Sequence, residues 1–209
     1  MDHEIEMYCY LWSQFPAMHR YMAAPVVVSQ YKDGVNRFTC SDLKNRYVSI
    51  LATELCQPIN KGKFRDADKV VWFVTGFLSA LSTLHDVAGV LHGDMSRGNV
   101  MMDGDNVKLI DFQFSLKNMT HDSCVEAFGW TEKYSAPVKH WGVVRFASDV
   151  YAAARVIDAV CDNSVIDGLK MRNLLNRMLS VKIEDIPRAS EALLEVQRMR
   201  KVLRQPWKK

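Results

Sequence analysis

The feature that most limits what this chain can become is the block at residues 66–115, where the hydrophobic period changes from helical to strand-like across a polar loop. Residues 66–85 carry Val70, Phe73, Val74, Phe77, Leu78, Leu81 and Leu84 at three- and four-residue spacing, which is one broad apolar helix face. The loop at 89–98 follows, rich in Gly and charge. Two short strands come next, Val100-Met101-Met102 and Val107-Lys108-Leu109-Ile110, joined by Asp103-Gly104-Asp105-Asn106. That tetrad is strong hairpin chemistry, because Gly and Asn accept the backbone angles a tight turn demands.

The remainder is organised around this block. Residues 2–15 place Ile5, Tyr8, Leu11, Trp12 and Phe15 on one helical face. Asp2, Glu4 and Glu6 lie in its first turn, where the helix dipole favours negative charge. Residues 24–31, with Val26, Val27 and Val28, read as a strand, and Tyr31-Lys32-Asp33-Gly34 as a turn. Residues 47–55 read as a second strand pairing with the first, and Gln57-Pro58 ends the extended run. Helices are expected at 149–161, 166–179 and 189–203, with Pro187 as a break and Pro206 as a stop.

Composition narrows the partners. The 209 residues suit one domain with room for a second small lobe, and 48% hydrophobic with 24% charged residues is the balance of a soluble globular chain. The net charge of +3 is too small a surplus for a dedicated nucleic-acid binder. The most apolar stretch, residues 70–84, is interrupted by Thr75, Gly76, Ser79, Ser82 and Thr83, short of the ~18–20 residues of a membrane helix. The acidic start has no signal-peptide pattern. Neither nucleic acid nor membrane is therefore expected as a partner. Cys9, Cys40, Cys56, Cys124 and Cys161 are odd in number and form no C-x-x-C, which suits free thiols in the cytosol or nucleus.

The loop and hairpin together spell His92-Gly93-Asp94, then Asn99, then Asp111-Phe112-Gln113. This array resembles the catalytic and metal-binding loops of the protein-kinase-like superfamily: H-x-D, four residues, Asn, two short strands, D-F-G. The spacing suits phosphoryl transfer, which asks a protein mainly for position and charge neutralisation. The resemblance implies Asp94 as catalytic base, Asn99 and Asp111 as Mg²⁺ ligands, and His92 and Phe112 as packing residues of an internal spine. It implies that Asp149 is structural, accepting hydrogen bonds from the catalytic-loop backbone. Tyr134-Ser135-Ala136-Pro137-Val138 resembles the A-P-E segment, and Ile186-Pro187-Arg188-Ala189-Ser190 the R-P-[ST] turn. Thr53-Glu54-Leu55-Cys56 resembles the gatekeeper and hinge, with Glu54 and Cys56 offering backbone groups to an adenine edge and Met101 forming its floor. Glu4 takes the place of the ion-pairing glutamate of helix C. The implied fold is α+β and bilobal, with a truncated small lobe at residues 1–56 and a helical large lobe at 57–209.

Departures from the pattern qualify the activity. No G-x-G-x-x-G and no V-A-I-K occurs in the 209 residues. Gly93 replaces the Arg of H-R-D, so a phosphate on the activation segment lacks that partner, and H-G-D also occurs in kinase-like enzymes that act on small molecules. Ser96 replaces the Lys two after the base, with Arg97 beside it to supply positive charge. Gln113 replaces the last Gly of D-F-G, and Val138 the Glu of A-P-E. Two classes stay open: a phosphotransferase using ATP and Mg²⁺ on a Ser/Thr-type hydroxyl, weak alone, or a pseudokinase scaffold that binds a protein. A reduced small lobe also predicts exposed apolar surface on the first helix and on Val26–Val28, where a second copy or a partner protein would dock.

Overall fold

The computed structural model describes residues 3–32, 47–59, 64–126 and 143–203. Helix α1 (His3–Gln14) gives way at Pro16 to a 3-10 turn, Pro16–Arg20, since proline lacks the N–H that would continue the helix. Strands β1 (Pro25–Lys32) and β2 (Tyr47–Thr53) pair antiparallel, from Pro25 opposite Thr53 to Lys32 opposite Tyr47. Lys32 is thus the end of a strand and not part of a turn; Asp33 and Gly34 lie outside the described residues.

Gln57 and Pro58 do not end the extended structure. They form β3 (Gln57–Pro58), whose partner arrives later in the chain. Helix α2 (Ala67–Ser82) starts at Asp66, whose carboxylate accepts from the Lys69 N–H at 3.0 Å. β4 (Val100–Asp103) pairs with β3 through Met101 opposite Pro58 and Met102 opposite Gln57, and with β5 (Asn106–Leu109) as the expected hairpin. Pro58 sits on the edge of this three-stranded sheet, where its missing N–H breaks no ladder. β6 (Val125–Glu126) and β7 (Val143–Val144) pair antiparallel, and the A-P-E-like segment 134–138 between them lies outside the described residues.

Helix α3 (Phe146–Val160) begins ahead of the expected Asp149. Arg145 and Ser148 cap it, the Arg145 N–H donating to Ser148 Oγ at 3.2 Å and the Ser148 N–H to the Arg145 carbonyl at 2.8 Å. The single helix expected at 166–179 is two, α4 (Asn163–Gly168) and α5 (Arg172–Met178), broken where Lys170 takes φ +57°. Arg172 staples the break, reaching Asp158, Asp167 and Asn163 at 2.8–2.9 Å. Helix α6 (Ala189–Leu203) starts after Pro187, as its sequence suggests.

The core forms around α2, which packs against α6, α3 and β5 and buries Val70, Phe73, Val74, Phe77, Leu78 and Leu81. The helix runs on through a π-helical turn, so that Ala67–Val87 is, by length and composition, long and apolar enough to cross a membrane. The polar residues that seemed to interrupt it do not; here its apolar face is the centre of a protein core. A second correction concerns α1. Ile5, Met7, Tyr8 and Leu11 are each no more than 2% exposed, so the helix keeps its apolar face inside and does not offer it to a partner. Among the described residues the exposed large hydrophobics are Leu55, Val87, Phe114, Val181 and Leu194, none of them on α1.

Candidate active site

The site is assembled where the loop after α2 meets the β4–β5 hairpin. Asn99 closes a 3-10 turn, Arg97–Asn99, and is 8% exposed. Its Nδ2 donates to the Asp94 carbonyl at 2.8 Å and to Asp94 Oδ2 at 3.1 Å. Both bonds use the amide nitrogen, so the amide oxygen is the end left for a cation. The Asn99 carbonyl accepts from the Ile110 N–H at 3.0 Å, which delivers the next residue, Asp111, to the same corner. Hydrogen bonds therefore join Asp94 to Asn99, and Asn99 to Ile110, the residue before Asp111.

His92 ties the other side of this set of bonds. It is fully buried; its Nε2–H donates to the Ile110 carbonyl at 3.1 Å and its Nδ1 accepts from the Asp94 N–H at 3.3 Å. This pair of partners assigns the neutral Nε2–H tautomer, and burial holds the imidazole below its ordinary pKa. Its ring lies 5.1 Å from Phe112, which in turn meets the edge of Tyr8 at 5.1 Å. Tyr8 also hydrogen-bonds the Asp111 backbone, and burial pushes its phenol well above the ordinary range. His92, Phe112 and Tyr8 thus form a packed column from the loop to α1. His3 on the first turn of α1 donates to the Ser115 carbonyl at 2.8 Å, a second tie to the same segment.

Asp111 takes φ +63°, the left-handed region that Asp tolerates better than most residues. One carboxylate oxygen accepts from the Gln113 N–H at 3.4 Å. The segment beyond zips onto the loop after α2: Leu91 and Leu116 exchange both backbone bonds at 2.9 Å, and Ser115 Oγ donates to the His92 carbonyl at 2.9 Å. Asp149, at the start of α3, anchors the loop from below. Its carboxylate accepts from the His92 N–H at 2.7 Å, the Gly93 N–H at 3.0 Å and His85 Nε2 at 3.0 Å.

The stretch at 53–58 passes from the β1–β2 sheet to the β3–β4–β5 sheet. Thr53 and Glu54 are half-buried, Cys56 likewise, and Leu55 between them is 98% exposed. The Glu54 N–H is spent on the Ala24 carbonyl at 2.9 Å, so of Glu54's own backbone groups the carbonyl is the one left to face adenine. Burial and the Glu54 carboxylate both push the Cys56 thiol up, which keeps it protonated. Met101 is half-buried, on the opposite face of β4 from the buried Val100 and Met102. Arg97 is exposed beside Asn99.

An amide oxygen and a carboxylate are hard donors, which suit Mg²⁺. Among the described residues no group of three or more His, Cys, Asp and Glu side chains could hold a metal ion. Two protein ligands are enough for an ion that keeps waters and binds phosphate oxygens. Two residues of the site were not singled out from the sequence. Tyr8 was read only as part of an apolar face, and Lys108, a buried cation beside Glu54, only as part of a strand. A lysine between the apolar Val107 and Leu109 of β5 is the available signal.

The protein kinase domain family model matches residues 37–202, a span that includes Thr53, Glu54, Cys56, Asp94, Arg97, Asn99, Met101 and Asp111. No curated protein matches the chain.

Proposed function

The chain belongs to the protein kinase domain family, and from that premise we propose that it transfers the γ-phosphoryl group of ATP to a Ser/Thr-type hydroxyl on a protein. The observation that carries this reading is the set of hydrogen bonds that joins Asp94 to Asn99, and Asn99 to Ile110 next to Asp111. In this reading Asp94 accepts the proton of the attacking hydroxyl as its oxygen bonds to the γ-phosphorus. The bond to the β–γ bridging oxygen breaks and ADP leaves. Asn99 and Asp111 hold Mg²⁺, which when bound neutralises charge on the phosphates. Adenine lies over Met101, against the Glu54 carbonyl and the Cys56 N–H. Arg97, exposed at the mouth, supplies positive charge toward the transferred phosphoryl group. The exposed free thiols Cys9 and Cys124 support a reducing compartment, cytosol or nucleus.

The test is transfer of radiolabelled γ-phosphate by the purified chain to itself and to generic basic and acidic proteins, with Asp94→Ala as control. Transfer that disappears in the variant supports the reading; equal transfer by both chains, or none by either, defeats catalysis. A second reading, a kinase-like module that binds a protein without turnover, is favoured by Gln113 and Val138, which stand where the family pattern has the Gly of D-F-G and the Glu of A-P-E. Removing one preorganised electrostatic element commonly costs ~10²–10³ in rate. Rates far below the ~1–100 s⁻¹ of ordinary kinases are therefore expected of this chain alone.

A further inference from the structure

Lys108 is out of place by composition and not by structure. It sits in β5 between Val107 and Leu109, and like them it is buried, at 6% exposed. A buried ammonium is costly unless it is paired and hydrogen-bonded. Lys108 meets that condition with groups from three parts of the chain. Its Nζ lies 3.0 Å from Glu54 Oε1, and donates to the carbonyls of Met22 at 3.2 Å and His19 at 3.4 Å. Asp103 Oδ2, at the end of β4, stands 4.0 Å away.

The consequence falls on Glu54. Burial works against its ionised form, but the Lys108 ammonium 3.0 Å away outweighs it and holds the carboxyl below its ordinary range. Its main chain is fixed by the Ala24 carbonyl. Residue 54 is thus held at both ends, and its free polar group is the carbonyl.

We infer that Lys108 is a positioning residue for adenine recognition: by clamping the Glu54 side chain to the 3-10 turn and the hairpin, it sets the direction of the Glu54 carbonyl and the Cys56 N–H. This rests on the reading of residues 53–56 as the adenine edge. It differs from a contribution to stability alone, because it predicts a loss confined to the base end of the nucleotide.

Two measurements decide it. The first is amide hydrogen exchange at Glu54 of the free chain, whose N–H is bonded to the Ala24 carbonyl, wild type against Lys108→Met, which keeps length and removes charge. Charge-assisted bonds are strong enough that their loss should speed exchange there by about tenfold or more, with α2 unchanged. Unchanged exchange at Glu54 overturns the clamp, whatever the ligand results. The second is the dissociation constant for adenosine, Mg·ATP and Mg·tripolyphosphate. Lys108→Met should weaken the first two by about tenfold and leave the third unaltered, with Lys108→Arg recovering part of the loss. Equal weakening of all three, or of none, overturns the adenine role. If Lys108→Met does not fold, Glu54→Gln carries both measurements with the same expected pattern. A wild-type chain that binds Mg·ATP no better than Mg·tripolyphosphate defeats the proposed nucleotide reading and the adenine role with it, while the exchange result still decides the clamp.

Discussion

Gly93 has to be glycine. It takes φ +83°, and a Cβ there would stand 2.4 Å from the Phe114 carbonyl oxygen. The missing Arg of H-R-D is therefore a steric requirement of this packing as well as a lost phosphate partner. Gly93→Ala should destabilise by about 1–3 kcal/mol from backbone strain alone, and Gly93→Arg by more, in chemical denaturation. A Gly93→Arg chain as stable as wild type would refute that account. Glu54 makes a prediction of opposite origin. Its folded pKa is depressed below the ordinary 4.5, so the stabilisation it shares with Lys108 is complete above pH 4.5. It is lost as pH falls through the depressed folded value. Melting temperatures followed downward from pH 5 should drop more steeply for wild type than for Glu54→Gln; parallel curves would show that the pair contributes nothing.

At the scale of elements, two helices fix the loops of the site through polar side chains. Asp149 on α3 binds the backbone of the loop after α2, and His3 and Tyr8 on α1 bind the segment after β5. Asp149→Ala leaves the His92 and Gly93 N–H groups without their acceptor. At about 1–3 kcal/mol for each buried unpaired group, it should be among the most destabilising single polar changes in the chain. Hydrogen exchange would show whether the loop loosens first. Protection of residues 91–93 equal to wild type would mean that the loop is held by the Leu91–Leu116 pairing alone. The hairpin, α2 and α6 were legible from local pattern, since turn chemistry and an apolar stripe are local properties. The split into α4 and α5 was not, because Lys170 adopts a left-handed backbone angle that no motif announces and Arg172 stabilises it through contacts on α3 and α4.

For the molecule as a whole, ligand binding is read as stability. If Asn99 and Asp111 hold Mg²⁺ with ATP, ligand at a hundred times its dissociation constant should add about 2.7 kcal/mol to wild type. Thermal shift with Asp111→Ala should show much less at the same concentration, and equal shifts would contradict the assignment of Asp111. The β4–β5 hairpin, helices α2 and α6 and the kinase-like class were present in the linear sequence. Motif spacing and hydrophobic period act over a few residues and need no knowledge of what packs where. The tertiary structure decided the rest: that α1 covers its own apolar face, that α2 is a core helix despite a composition fit for a membrane, and that Lys108 reaches Glu54. Each depends on which distant surfaces meet, and burial changes the energy of a side chain only after they have met.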